Sequence, residues 1–322
     1  METGGDGNRR SGSLQCPRCG RIYPLEDGIV RFAETSGYAE AFGVEWEQFG
    51  STQIDHLNAT TISEDRLALI SGGSLEFLHG RTVFDFGCGA GRYAAVAARH
   101  GARVVAADIA LGAIRSCRRN TSGIGDVICV HANPVRPAVQ SGSADVVISI
   151  GVYEHTPSPP HYLREAAAAV RRGGRLVLWG YERRLKSALA PKWLLRPVTR
   201  RMRPDRLMRV VRHAAPSLLA VSDALLNLPK GRYWARLVPV ANHRGRLPLS
   251  DEQRLEWATL DTFDWLAPTY VRPMRYSAVA TLLEGLGFAV VRTDPDAVGC
   301  VATRVASESR REPATERAGG RA

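Results

Sequence analysis

Asp85 lies in the apolar run Val83-Phe84-Asp85-Phe86, and glycines follow it at alternate positions, Gly87, Gly89 and Gly91. The pattern predicts a strand that runs into a tight turn and then a helix over residues 92–100. Glycine suits such a turn because a backbone without Cβ bends sharply and lets a ligand approach the N–H groups at the start of the helix. Taken alone, the loop also fits a dinucleotide pattern, since Gly89-Ala90-Gly91-Arg92-Tyr93-Ala94 reads as G-x-G-x-x-A. Asp85 separates the two chemistries. A carboxylate here repels a pyrophosphate, whereas it attracts the ammonium group of S-adenosylmethionine (SAM), which carries positive charge on both nitrogen and sulfur. The sign of the charge favours SAM over NAD.

The elements that must position this loop are legible on either side. A second apolar run, 103–108, ends at Asp108, where a carboxylate about 20 residues past the glycines meets ribose hydroxyls. A third run, 127–130, leads to Asn133, whose amide either reads an adenine edge or serves as a turn residue before Pro134. His131 on that run reads as a packed core histidine. A fourth run, 144–150, ends at Ile150 and opens onto Gly151-Val152-Tyr153-Glu154-His155-Thr156-Pro157. A helix follows, then Gly173-Gly174 and a fifth strand over 175–179. Residues 274–286 have helical spacing, and strands over 288–292 and 298–305 flank Asp294-Pro295-Asp296. Strands alternating with helices define an α/β doubly wound sheet that binds ligand at the carboxyl ends of its strands.

The combination Asp85-Phe86-Gly87-Cys88-Gly89-Ala90-Gly91-Arg92, Asp108-Ile109, Ser143-Ala144-Asp145-Val146-Val147, Gly151 to Pro157 and Arg172-Gly173-Gly174-Arg175-Leu176 resembles the class I SAM-dependent methyltransferases, in particular the methyltransferase-11 type related to ubiquinone/menaquinone methyltransferases. The resemblance covers residues 80–182. It implies a Rossmann-like seven-stranded, mostly parallel sheet with a terminal antiparallel hairpin and a helical lid insertion. It also implies that SAM rests on Asp85, Gly87, Cys88, Gly89, Gly91, Asp108, Ile109, Asn133 and Ile150. His155 is the implied catalytic base, because the loop after the fourth strand faces the methyl group in this fold and imidazole titrates near neutrality. Tyr153 and Glu154 line the same pocket in this reading, and Arg66 reaches the SAM carboxylate. Two positions depart from the family: Asn133 stands where an Asp is common, and Glu154 replaces the first of two loop histidines. The segments around Trp46 and Gln53 and around Asp261, Asp264, Trp265 and Tyr270 resemble flanking regions of a bacterial subgroup. The first is expected to close over SAM and the second to shape the acceptor site.

The chain has 322 residues, and its 44% hydrophobic content is ordinary for a globular enzyme. No stretch reaches the ~18 uninterrupted apolar residues of a membrane span, and residues 1–13 lack the apolar core of a signal peptide. A cytoplasmic protein is expected. Four of the six cysteines are scattered and imply a reducing compartment. Cys16-Pro17-Arg18-Cys19 is half of a tetrahedral zinc site without a second pair, so no metal is assigned. Residues 14–36 resemble part of a zinc-ribbon-like hairpin, and residues 37–79 read as a helical cap. Residues 80–182 and 271–305 build the core, and residues 1–13 and 306–322 read as disordered.

Net charge is +11, and eleven Lys or Arg against the single acid Asp205 fall between Arg183 and Arg212. Residues 183–270 read as a basic, mostly helical insertion over the strand ends. Such a segment suits an anionic or lipid-linked small acceptor, or peripheral contact with an anionic membrane through 183–230. Nucleic acid is disfavoured because Trp193 is the lone stacking aromatic among the arginines. The function expected is methyl transfer from SAM to a quinone-like, lipid-linked, sugar or secondary-metabolite acceptor. The alternatives are a non-catalytic SAM-binding scaffold, an RNA-directed methyltransferase or, less fittingly, an NAD enzyme.

Overall fold

The computed structural model of the chain describes residues 11–17, 19–33, 37–133, 135, 139–184 and 191–305. Of the tails expected at 1–13 and 306–322, residues 1–10 and 306–322 lie outside the described residues. The chain opens with three short strands, β1 (Gly12–Gln15), β2 (Ile22–Glu26) and β3 (Ile29–Arg31). A cap of α1 (Glu40–Gln48), α2 (Asp55–Asn58) and α3 (Ile62–Ser71) follows. The α/β repeat then runs β4 (Thr82–Phe86), α4 (Arg92–Arg99), β5 (Arg103–Asp108), α5 (Leu111–Asn120), β6 (Asp126–His131), β7 (Ala144–Ile150), α6 (Pro159–Ala169) and β8 (Val170–Gly180). A lid of α7 (Lys192–Thr199), α8 (Pro204–Leu226), α9 (Gly231–Ala235) and α10 (Asp251–Leu266) interrupts the repeat, which α11 (Tyr276–Gly285), β9 (Phe288–Asp294) and β10 (Val298–Arg304) complete.

The strands form a single sheet in the order β1-β2-β3-β6-β5-β4-β7-β8-β10-β9. From β3 to β8 neighbours are parallel, and β10 joins β8 and β9 antiparallel. The sheet therefore has ten strands rather than the expected seven. The extra three come from the N-terminal hairpin, which is not a separate unit but an extension of the sheet. β3 pairs in parallel with β6, Ile29 opposite Cys129 and Arg31 opposite His131, and so covers what would otherwise be an open edge. Gly12 and Ser13, expected in a disordered tail, belong to β1. Cys16 and Cys19 sit on the β1–β2 turn, where the Gly20 N–H donates to the Cys16 carbonyl at 2.9 Å. Among the described residues no three His, Cys, Asp or Glu side chains gather in a way that could hold a metal.

Two apolar layers enclose the sheet. One packs Phe84, Phe86, Tyr153, Tyr162 and Leu163 with α11, and the other packs Val83, Val104, Ile148 and Val177 with α3, α4 and α5. The central strands read as continuous apolar runs because they are buried on both faces. The cap and the lid share a third core, in which Ala41 and Phe49 of the cap meet Leu207, Met208, Val211, Leu260 and Phe263 of the lid. No helix among the described residues is long and apolar enough to cross a membrane.

Candidate active site

The carboxyl ends of β4, β5 and β7 converge under the cap. β4 delivers Asp85, 2% exposed, and the chain then turns through Gly87 and Gly89, whose φ of +73° and +53° are values that glycine adopts without strain. A Cβ at Gly87 would lie 2.6 Å from the Val152 side chain, so that glycine lets the loop after β7 settle on the loop after β4. A Cβ at Gly89 would come within 3.1 Å of the Trp46 indole, so α1 walls the turn from above. The expectation that the segment around Trp46 and Gln53 closes over this site agrees with that placement.

The carboxylates sit in a dry, electronegative setting. One oxygen of Asp85, Oδ2, is buried without a hydrogen-bond partner. Burial, reinforced by nearby Asp108, pushes the Asp85 carboxyl up to about 7, against the pull of a hydrogen bond from the Ala94 amide. Asp108 accepts from the Gly89 N–H at 2.9 Å and from the Ala110 N–H at 2.8 Å, and burial still raises it. These bonds fix the second acid against the glycine turn itself. Ile109 is buried under the cap with Phe42 and Trp46, and its carbonyl meets His131 Nε2 at 2.9 Å. His131 also accepts from Arg31 Nε at 3.1 Å, so it serves as the joint between the hairpin and the core.

Other expected cofactor residues are placed less directly. Asn133 Oδ1 accepts from the Val135 N–H at 2.9 Å, an Asx-type turn that ties the side chain to its own loop and leaves its amide nitrogen and a second oxygen lone pair for a ligand. Cys88 turns its thiol into the core beside Cys117, and burial pushes it up to about 12, so only its backbone faces the turn. Ile150 ends β7 opposite Trp179. The Arg66 guanidinium, expected at the SAM carboxylate, stacks 4.2 Å from the centre of the Trp179 ring. Arg92, the first residue of α4, bonds Ser63 Oγ at 2.8 Å and Gln53 Oε1 at 3.2 Å. Gln53 in turn donates to Asp261 of α10 at 3.5 Å, so cap, glycine turn and lid form one polar chain.

His155 follows β7 and is 7% exposed. Its Nδ1 lies 3.1 Å from the Tyr270 carbonyl oxygen, and its ring meets Phe42 and Tyr181 edge-on at 5.4 and 6.4 Å. Glu154 beside it is fully buried, accepts from the Tyr181 N–H at 3.1 Å, and is raised by burial. Tyr153 does not line the pocket as expected. It belongs to the core under the sheet, because Gly180 leaves room for its ring and the Tyr181 carbonyl takes its hydroxyl at 3.1 Å.

Four residues of the site escaped sequence reasoning: Phe42, Glu45, Tyr181 and Lys192. Glu45 is 2% exposed, has an unpartnered Oε2, and is raised well above the ordinary range by burial and by Asp264, Asp261 and Asp108. Its signal was an acid at i+4 from Ala41 and i−4 from Phe49, on the core-facing side of α1. The Lys192 ammonium lies 5.1 Å from the ring centres of both Tyr181 and Trp265, and burial lowers its proton affinity.

Residues 84–178 match the family model described as a methyltransferase domain. These residues are a methyltransferase domain, built on the Rossmann-like sheet described above. A ubiquinone biosynthesis O-methyltransferase from Idiomarina loihiensis is 28% identical over 173 residues, which are 48% of this chain and 69% of that protein. The protein of the same name from Bordetella avium is 33% identical over 114 residues, 35% of this chain and 47% of that one, so the chain spans about half of that relative. A solved SAM-dependent methyltransferase from Aquifex aeolicus is similar at 12% identity over 84% of this chain and all of that one, with a TM-score of 0.43.

SAM is the cofactor of this domain, and the residues present fit it. The unpartnered Asp85 oxygen suits an ammonium group, and the surrounding carboxylates oppose anionic dinucleotides.

Proposed function

We propose that this protein methylates a hydroxyl oxygen on a small quinol-like acceptor, with His155 taking the acceptor proton. SAM, when bound, supplies a methyl carbon on a sulfonium whose leaving group is a neutral thioether. Little acid or base help is therefore needed at the leaving side, and the protein's work is alignment and proton removal. Asp85 binds the ammonium end, Asp108 the ribose, and the Trp46 wall excludes water from the turn.

The observation that carries this reading is the orientation of His155. The Tyr270 carbonyl can only accept, so Nδ1 is the donor and Nε2 is the nitrogen left to face a substrate. In the neutral ring Nε2 then holds the lone pair that can take a hydroxyl proton. Oxygen as the methylated atom, and a quinol-like acceptor, are further supported by the names of the Idiomarina and Bordetella relatives.

Incubation of the full chain with methyl-labelled SAM and a panel of catechols and quinols tests the proposal. Label is expected in an aryl methyl ether. Tight SAM binding without transfer to any hydroxyl acceptor overturns the acceptor class, and no SAM binding by folded protein overturns the cofactor assignment as well.

A further inference from the structure

The lid presents a surface that methyl transfer does not use. α7 packs its inner side on the end of α10, where the Arg196 guanidinium donates to the carbonyls of Trp265 and Pro268 at 2.9 and 2.6 Å and Thr199 donates to that of Leu266 at 3.0 Å. Its outer side carries Leu194, Leu195 and Val198, which are 83%, 39% and 67% exposed. Leu194 and Val198 are one turn apart and therefore project from the same face. Isolated exposed leucines are common, but three aliphatic side chains left open on one short helix are not explained by chance exposure.

The chain that leaves this helix is cationic. Arg200, Arg201, Arg203, Arg206, Arg209 and Arg212 are all exposed, and Asp205 is the single acid between Lys192 and His213. α8 buries Leu207, Met208 and Val211 in the core shared with the cap, and so turns Arg206, Arg209 and Val210 outward. A cleft of about 350 Å³ lined by Gln48, Met208, Arg209 and Arg212 opens beside this stripe.

We propose that the outer face of α7 and the first turns of α8 dock the protein on an anionic membrane surface. Leu194, Leu195 and Val198 enter the headgroup boundary, and the arginines meet lipid phosphates. An aliphatic tip rimmed by cations is the composition of an interfacial helix, which gains from both apolar burial and attraction to acidic lipid. A nucleic acid gains nothing from exposed aliphatic side chains, and Trp193, which could stack on a base, lies against Lys192 and Arg196 instead, at 5.7 Å from each. A second copy of the chain fits poorly because it brings one arginine stripe against another. α7 also begins at Lys192, which borders the candidate acceptor pocket, so docking places that pocket near the lipid boundary. This last consequence rests on the proposed function, whereas the docking itself does not.

Co-sedimentation of the full protein with lipid vesicles tests the docking without reference to methyl transfer. Pelleting is expected with vesicles containing phosphatidylglycerol, not with phosphatidylcholine alone, and is expected to weaken as salt rises. Leu194→Ser with Val198→Ser should weaken binding about 10-fold. Arg203→Gln with Arg206→Gln should weaken it about 5-fold per arginine. Both variants should keep the thermal shift produced by S-adenosylhomocysteine, which shows that they fold. Unchanged pelleting of the aliphatic variant, or no pelleting with acidic vesicles, overturns the proposal. So does retention by a poly-uridine oligonucleotide that the aliphatic variant retains equally, since that outcome makes the surface one for nucleic acid.

Discussion

Asp85 holds its charge at a cost that a bound ammonium relieves. Its carboxyl is buried, lacks a partner on one oxygen, and is pushed from 3.8 up to about 7. The folded value lies above the unfolded one, so the folded state keeps a proton that the unfolded chain releases. Stability of the cofactor-free protein from this group is therefore present at low pH and falls as pH rises from about 4 to about 7. SAM needs the ionised form, so its affinity should fall by up to about tenfold per pH unit below about 7, as measured by calorimetry across pH. Asp85→Asn separates this group from Asp108, Glu45 and Glu154, which burial raises in the same direction. That variant should melt higher than the parent at pH 8 in the absence of ligand, yet bind SAM about 10- to 100-fold more weakly, with a flatter pH profile. If it melts lower, Asp85 is structural rather than strained for binding. His155→Gln should lower turnover about 100-fold or more while SAM affinity stays unchanged, which a comparison of single-turnover rates and calorimetry checks. Asp85 and Asp108 were legible because an acid inside an apolar run has few structural uses. Asn133 and Cys88 were less so, because sequence does not reveal that a backbone amide takes the Asn133 oxygen or that the thiol turns inward.

The helices that cover these residues owe their positions to local signals of unequal strength. α10 starts at a full capping box, in which Ser250 accepts from the Gln253 N–H and Gln253 accepts from the Ser250 N–H. The Ser-x-x-Gln spacing is readable in the sequence and satisfies two otherwise orphaned donors. α10 carries Asp261 and Asp264 toward the site, with Asp261 2.8 Å from His243 Nε2, and packs Phe263 and Leu266 into the shared core. Ser250→Ala should therefore cost about 1 kcal/mol, seen as a lower urea midpoint with unchanged slope. SAM affinity should hold, because the cap lies at the far end of α10 from Asp264; a large loss of SAM binding would show that the lid shapes the cofactor site as well. The alternation of strands and helices was plain because each central strand is a single buried run. β8 begins at Val170, before the Gly173-Gly174 pair expected to precede it, because Val170 pairs with Ala144 ahead of a register shift. α7 follows Pro191 and holds Pro197 in its last turn, where the ring forgoes one backbone hydrogen bond close to the helix end.

At the scale of the whole molecule, ten strands replace seven because β6 needs a neighbour. Without β3 its outer edge would present unpaired backbone groups beside the apolar side chains Cys129 and Val130. The hairpin looked like an independent ribbon because its cysteines dominate it, whereas the pairing depends on Ile29 and Val30, which are two ordinary aliphatic residues until the third dimension places them against β6. Both are buried, and the Phe32 N–H continues the seam by donating to the His131 carbonyl at 2.9 Å. Replacing Ile29 and Val30 together by Asp should open this seam, since a buried carboxylate without a partner is strongly unfavourable. The opening is expected to be local, because the contacts of β4 and β7 at the centre of the sheet do not involve the hairpin. Hydrogen exchange would then quicken at Cys129, Val130 and His131 and stay slow at Val83, Phe84 and Asp85. The same variant should associate more readily than the parent, through the bared strand edge. Equal quickening across the central strands would mean instead that the hairpin and the methyltransferase core fold as one cooperative unit, and that the N-terminal extension sets the stability of the cofactor site at Asp85, 55 residues after Val30.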